Sequence, residues 1–206
     1  MPCIILDSYK QAPPVPQELT IGSNSSTEAK YPMYKFYDYG YFAFLYTSTE
    51  MGGAKTISKI AFNMNNTSGS SYISIFQTLT FYHANESVLP GSLRNNMTSG
   101  TSTTWAISDE TTTKSNFTWT ITSVDDWYEI ELDTPFNYNG TDNLLIRWFN
   151  NDGSYIGGTS SNPVSFGNNT GDFRAYYDYQ DTAPPSLTSF GTRDSTFRPQ
   201  IRITYT

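Results

Sequence analysis

Hydrophobic positions recur with a period of two along much of the chain. In residues 127–149, Tyr128, Ile130 and Leu132 alternate with Glu129, Glu131 and Asp133, the pattern of a strand with one wet face and one buried face. Pro135 is expected to end that ladder. Asn137, Tyr138, Asn139 and Gly140 then supply a turn, because Gly and Asn accept positive φ at little cost. Residues 144–149 re-emerge apolar on both faces except at Arg147, as expected of a strand inside a sheet rather than at its edge. The two runs read as a central pair joined by the turn.

The same reading extends outward. Residues 56–64 place Ile60, Phe62 and Met64 on one face and Lys59 and Asn63 on the other. Residues 72–83 read as a strand with Ile73, Ile75, Leu79 and Phe81 in one register, and Phe117, Trp119 and Ile121 form another that leads through a turn at Asp125 and Asp126 into the central pair. Ile201, Ile203 and Tyr205 share a side of the closing strand. Residues 31–46 crowd nine rings together, Tyr31, Tyr34, Phe36, Tyr37, Tyr39, Tyr41, Phe42, Phe44 and Tyr46. They read as two strands around Gly40 with alternate rings in the core. Residues 173–179 are aromatic again, whereas 65–71, 85–104, 153–171 and 184–195 read as loops, 85–104 being a place where function could sit.

Many short strands, little helical periodicity and no fixed repeat predict an all-β protein, an antiparallel β-sandwich of jelly-roll-like type. Pro13, Pro14 and Pro16 forbid helix near the start. Residues 1–18 are therefore expected to form an extended N-terminal arm and 19–206 a single β-sandwich domain.

Composition narrows the function. Charged residues make up 15% of the chain and the net charge is −7; with only twelve scattered Lys and Arg, binding to nucleic acid is not expected. Cys3 is the sole cysteine, which excludes an intrachain disulfide and a cysteine-based metal site. The apolar run Ile4, Ile5, Leu6 lacks a basic leader and a cleavage signal, so neither a secretory signal nor membrane insertion is expected.

Candidate chemistry is sparse. His83 is the only histidine and has no nucleophile motif near it, so the protein is read as non-enzymatic, with no cofactor. The carboxylate pairs Asp125 with Asp126 and Glu129 with Glu131 fit turns and wet strand faces better than glycoside hydrolysis. Asp142, Asp152 and Asp172 could offer oxygen ligands to calcium, but turn formation accounts for them, and no metal site is assigned. Asn-x-Ser/Thr triplets at Asn24, Asn85, Asn96, Asn116, Asn139 and Asn168 need no more than chance in so Asn- and Thr-rich a chain.

Longer stretches carry a resemblance. The aromatic block followed by Ser48, Thr49, Glu50 and Met51, and then Ile57, Ile60 and Phe62, resembles a β-sandwich domain recurrent in surface proteins of Bacteroidota. That domain has a Tyr-rich entry, a Ser-x-Glu-Leu step and a G-x-I-x-x-I-x-F strand. Leu132, Pro135, Phe136, Tyr138, Gly140, Asn143, Leu144 and Leu145 resemble its L-x-x-P-F-x-Y-x-G-x-x-N-L-L segment, and Arg198, Pro199, Ile201 and Ile203 its closing strand. Met51 stands where Leu is usual, a change that conserves volume. These motifs are structural, so the resemblance implies a fold more than an activity. Bacterial members usually sit in long chains behind a signal peptide. A stand-alone copy with a Pro-rich arm looks more like a virion protein of a phage infecting such bacteria.

Two functions follow as expectations. In the first the protein is a structural or adhesion module of a virion, a head or tail appendage or decoration protein. Its arm, through Ile4, Ile5, Leu6, Pro13, Pro14 and Pro16, docks to other virion or surface proteins, copies of itself included. In the second it is a carbohydrate-binding module at a bacterial cell surface or outside the cell, with Tyr37, Tyr39, Tyr177 and Tyr179 stacking on a host-surface glycan.

Overall fold

The structure is a computed structural model that describes residues 12–66, 71–84, 107–122, 125–155, 163–172, 174–185 and 194–206. Two antiparallel sheets pack face to face. The first holds β1 (Gln17–Ile21), β2 (Ser26–Glu28), β4 (Lys55–Asn65), β7 (Asp126–Tyr138), β9 (Val164–Asn169), β12 (Phe197–Pro199) and β13 (Ile201–Tyr205). The second runs in the order β11 (Asp194–Ser195), β10 (Ala175–Gln180), β3 (Tyr39–Tyr46), β8 (Asn143–Asn150), β5 (Tyr72–Ala84) and β6 (Ile107–Ile121). A single turn of helix, α1 (Ser48–Met51), follows β3. The chain passes repeatedly from one sheet to the other, so the all-β sandwich expected from the period-two pattern is what forms.

Burial explains the sheets. β8 lies between β3 and β5, and its alternation sends Leu144, Ile146 and Trp148 into the space between the sheets and Leu145 to the opposite face. Trp148 is at the centre, its ring 4.8 Å from Trp119, 5.4 Å from Phe62 and 5.6 Å from Phe117. The far face of the second sheet is buried too, through Tyr41, Ala43, Leu45, Tyr82 and Tyr176. Arg147 is accommodated there, its guanidinium 5.3 Å from the Tyr41 ring and 4.9 Å from Tyr82, which is how a cation fits an otherwise apolar face.

Several expectations need correction. The two runs of the central pair are not bonded to each other: β7 pairs with β4 in the first sheet and β8 with β3 and β5 in the second. The turn between them carries the chain across the sandwich. Gly140 sits there at φ +82°, and a Cβ on it would fall 2.4 Å from the backbone nitrogen of Ala54. Pro135 does not end the strand. Glu131 faces Lys59 and Phe136 faces Ile57, so an enlarged bulge on β7 takes up the residues between them, Pro135 among them. A residue without an N–H is tolerated at such a place.

Residues 31–46 hold one strand, β3 over Tyr39–Tyr46, rather than two around Gly40, and residues 31–38 before it are turns and bends. Gly40 lies within it, and a Cβ there would fall 2.5 Å from the ring of Phe42. In β5, Ile73 and Ile75 are exposed while Leu79 and Phe81 are buried, because Phe76 adopts φ +54° and the pairing with β6 slips between Ser74 and Gln77. One extra residue inverts the side-chain phase. Residues 164–169, expected within a loop, form β9. Gln17 and Glu18 belong to β1, paired with Tyr205 and Thr204. Residues 85–104 and the arm residues Ile4, Ile5 and Leu6 lie outside the described residues; Pro13, Pro14 and Pro16 are exposed.

Candidate functional site

β3 starts at one end of the sandwich and finishes at the other, and the two ends differ in chemistry. At its finish, Thr47 caps α1. Its backbone N–H donates to Glu50 Oε2 at 2.9 Å and its hydroxyl accepts from Glu50 N at 3.3 Å, a reciprocal capping box. Arg198 of β12 grips the same carboxylate in a fork, Nη2 to Oε1 at 2.7 Å and Nη1 to Oε2 at 2.8 Å, and Arg174 Nη1 adds a bond of 3.1 Å. The Arg198 guanidinium lies 4.5 Å from the centre of the Tyr46 ring, whose hydroxyl donates to Pro199 O. Burial alone raises the carboxyl pKa of Glu50. The bonds and charge of Arg198, with the Thr47 donors, outweigh it and hold that pKa at about 2.

Asn143 joins the same end by accepting from Ser48 N at 2.9 Å. The residues that carry the family resemblance, Glu50, Asn143 and Arg198, thus meet in one structural knot. Sequence reasoning did not find the Glu50–Arg198 pair, because the partners lie far apart in the chain. The T-x-x-E spacing of Thr47 and Glu50 was the available signal for the helix start.

The other end is aromatic. Of the predicted platform, Tyr37, Tyr177 and Tyr179 come together. Tyr37 leans over Tyr179 with centroids 4.0 Å apart, and Tyr177 and Tyr179 lie 5.9 Å apart with planes 10° from parallel. Tyr34 joins at 5.0 Å from Tyr179. Tyr39 is placed apart: it pairs with Gln180, whereas Tyr179 pairs with Gly40, so alternation puts Tyr39 on the opposite face of the sheet, where its hydroxyl lies beside Gly153. Phe36, 41% exposed, and Tyr155, 58% exposed, extend the cluster outward with centroids 6.3 Å apart. Neither was singled out from sequence, since solvent exposure leaves no trace in the pattern of an aromatic block.

Buried amides tie three segments into this end. Gln77 Nε2 donates to Asn150 Oδ1 and Trp148 Nε1 to Gln77 Oε1, both at 2.6 Å. Asn150 Oδ1 also accepts from Asp152 N, Asp152 Oδ2 accepts from Ile75 N at 3.0 Å, and Gly153 N donates to Asp38 O at 3.0 Å. The exposed Ile73, Ile75 and Phe76 are thereby bound to the segment that carries Tyr155. Burial raises the Asp152 carboxyl pKa, the Ile75 N–H opposes that shift, and the charge of Asp38 adds to it. Lys35 is buried with Nζ 5.1 Å from the Tyr72 ring, and burial lowers its pKa to about 8.

The remaining candidates are engaged in contacts within the fold. His83 is buried in β5, and its Nε2 accepts from Asn139 N at 3.0 Å, at the edge of a cleft of about 390 Å³ lined also by Thr111, Pro135 and Phe136. Glu129 pairs with Lys59, Asp125 accepts from Asn65 and Asn66, and Asp126 accepts from Trp127 N. Asp142 accepts from the Asn139 side chain within its turn, and Asp172 lies 3.9 Å from Arg174. Among the described residues no group of three or more His, Cys, Asp or Glu side chains could hold a metal ion, and no helix is long and apolar enough to cross a membrane. No family model, curated protein or solved structure matches the chain.

Proposed function

We propose that the protein is a non-enzymatic structural and adhesion module, a virion component such as a head or tail appendage or decoration protein of a phage infecting Bacteroidota, acting through its aromatic end. One observation carries the reading. Among the described residues, five of the six large apolar side chains that stand most exposed, Phe36, Ile73, Ile75, Phe76 and Tyr155, belong to segments bonded together at that end. Rigid aromatic area is what protein contacts use as anchors; Phe76 stands on β5, and Phe36 and Tyr155 sit outside the strands on segments tied to it through Asp38, Gly153 and Asp152. The ionisable groups of the opposite end, by contrast, are engaged with one another.

The test is antibody labelling of particles purified from the source. Symmetric labelling by an antibody raised against the chain supports the reading, and unlabelled particles sink it. The carbohydrate-binding reading draws on the near-parallel rings of Tyr177 and Tyr179. Against it, Tyr37 already leans over Tyr179 where a sugar would stack. Glycan-array binding that disappears in Tyr177→Ala/Tyr179→Ala would favour it over protein contact.

A further inference from the structure

The crossover between the two sheets holds a reactive pair. Residues 139–142 join β7 to β8, and so link the first sheet to the second. Asn139 and Gly140 form the only Asn-Gly step in the chain. Asparagine before glycine is open to attack by the backbone on its own side chain, because glycine has no Cβ to shield the attacking nitrogen. Asn139 is exposed, so water reaches it.

The turn holds both reacting groups. Asn139 Oδ1 accepts from the backbone N–H groups of Thr141 and Asp142, each at 3.0 Å, and from Thr141 Oγ1 at 3.3 Å. Its Nδ2 donates to Asp142 Oδ2 at 2.8 Å. Together these bonds fix the plane of the amide. Asn139 N donates to His83 Nε2 at 3.0 Å and the Tyr138 hydroxyl donates to Asp142 O, which ties the turn to the body. Gly140 is fixed separately: at φ +82° it packs so closely that a Cβ would fall 2.4 Å from the Ala54 nitrogen. The donors to Oδ1 draw electrons from Cγ and favour attack there. The charge-assisted bond to Asp142 opposes it by holding Nδ2 in place.

We propose that Asn139 is the residue at which this chain deamidates, and that Asp142 sets the pace by holding the amide. The Gly140 nitrogen bonds to Asn139 Cγ, the Cγ–Nδ2 bond breaks, and Nδ2 leaves as ammonia with the proton from Gly140 N. The five-membered imide that results takes up one water. Opening at Cγ gives aspartate; opening at the main-chain carbonyl gives isoaspartate, in which the backbone runs through the side chain. Nothing is oxidised or reduced. In the isoaspartate form the acceptor of Thr141 N and Asp142 N becomes part of the main chain, while Asn139 N stays with His83. Gly140 has no room against Ala54 to follow the longer backbone. The crossover therefore loosens.

Peptide mapping by mass spectrometry on the folded full chain, kept in mildly alkaline buffer, tests it. Conversion is expected at Asn139 before any other asparagine, and more slowly than in a free peptide of residues 136–142. Asp142→Ala removes the acceptor of Nδ2 and should speed conversion several-fold. Asp142→Asn keeps an acceptor and should stay near the parent rate. Circular dichroism establishes that each variant is folded, and the comparison of chain with peptide needs no variant. The isoaspartate fraction, isolated by ion exchange, should unfold at a lower urea concentration than the parent. Earlier conversion at another asparagine overturns the proposal, as does a folded chain that reacts as fast as the peptide, or a parent rate in folded Asp142→Ala. An isoaspartate fraction as stable as the parent overturns the loosening of the crossover.

Discussion

At the Tyr46 end of β3, Glu50, Arg198, Arg174 and Thr47 satisfy one another around a half-buried carboxylate, whereas at the Tyr39 end Phe36, Tyr155, Ile75 and Phe76 are left facing solvent. Both ends are held by the same strands, so the difference is not one of scaffold. The first end has its charges paired within the molecule, although Arg174 Nε and Arg198 Nε make no hydrogen bond there, and it offers little apolar area to a partner. The second has apolar area whose burial would gain free energy only on contact with something else. Side chains that the fold needs are paired internally, and side chains it does not need are concentrated where a partner can reach them.

The sharpest way to break this contrast is to remove one member from each end. Arg198→Met leaves the Glu50 carboxylate without its fork and should cost about 3–5 kcal/mol in urea denaturation. An unchanged midpoint would mean that the knot is not what closes this end. The acid limb follows from the same group. The Glu50 pKa is depressed from 4.5 to about 2 in the folded chain, so its contribution is fully present above pH 4.5 and is lost as pH falls toward 2. The integrated effect is about 3 kcal/mol. Glu50→Gln should flatten the stability profile across that window while lowering the plateau above it.

Much of the first end was legible piecemeal. The strands β4, β6, β8 and β13 announce themselves through alternation, and Gly140 through turn chemistry. What alternation could not show was that β7 and β8 belong to different sheets, because a turn of four residues serves a hairpin and a crossover equally well. Nor could it show the phase change at Phe76, since a bulge is set by backbone dihedrals that Ile73 and Ile75 do not reveal. β9 was hidden because Gly167 and two asparagines dilute its apolar signal. At the aromatic end, the grouping of Tyr37 with Tyr177 and Tyr179 was visible as ring density. The displacement of Tyr39 to the other face depended on a register that only pairing with β10 fixes.

A smaller effect is expected at the crossover. Gly140→Ala places a Cβ against the Ala54 backbone at a positive φ and should cost about 1–3 kcal/mol; a tolerated alanine would show that the turn can relax. Phe36→Ser and Tyr155→Ser should be the mildest, each changing stability by about 0.5 kcal/mol or less. A loss comparable to that of Arg198→Met would make the aromatic end part of the folding core and erase the contrast between the ends.

The most direct measurement is hydrogen–deuterium exchange on the full chain, compared between the free chain and the chain bound to particles purified from the source. Slower exchange confined to residues 34–38, 73–77 and 150–155 on the particle, with residues 47–51 unchanged, is the predicted result. Protection that appears around α1 while the aromatic end exchanges as before, or no change anywhere, would contradict the division between an internally satisfied end and a contact end.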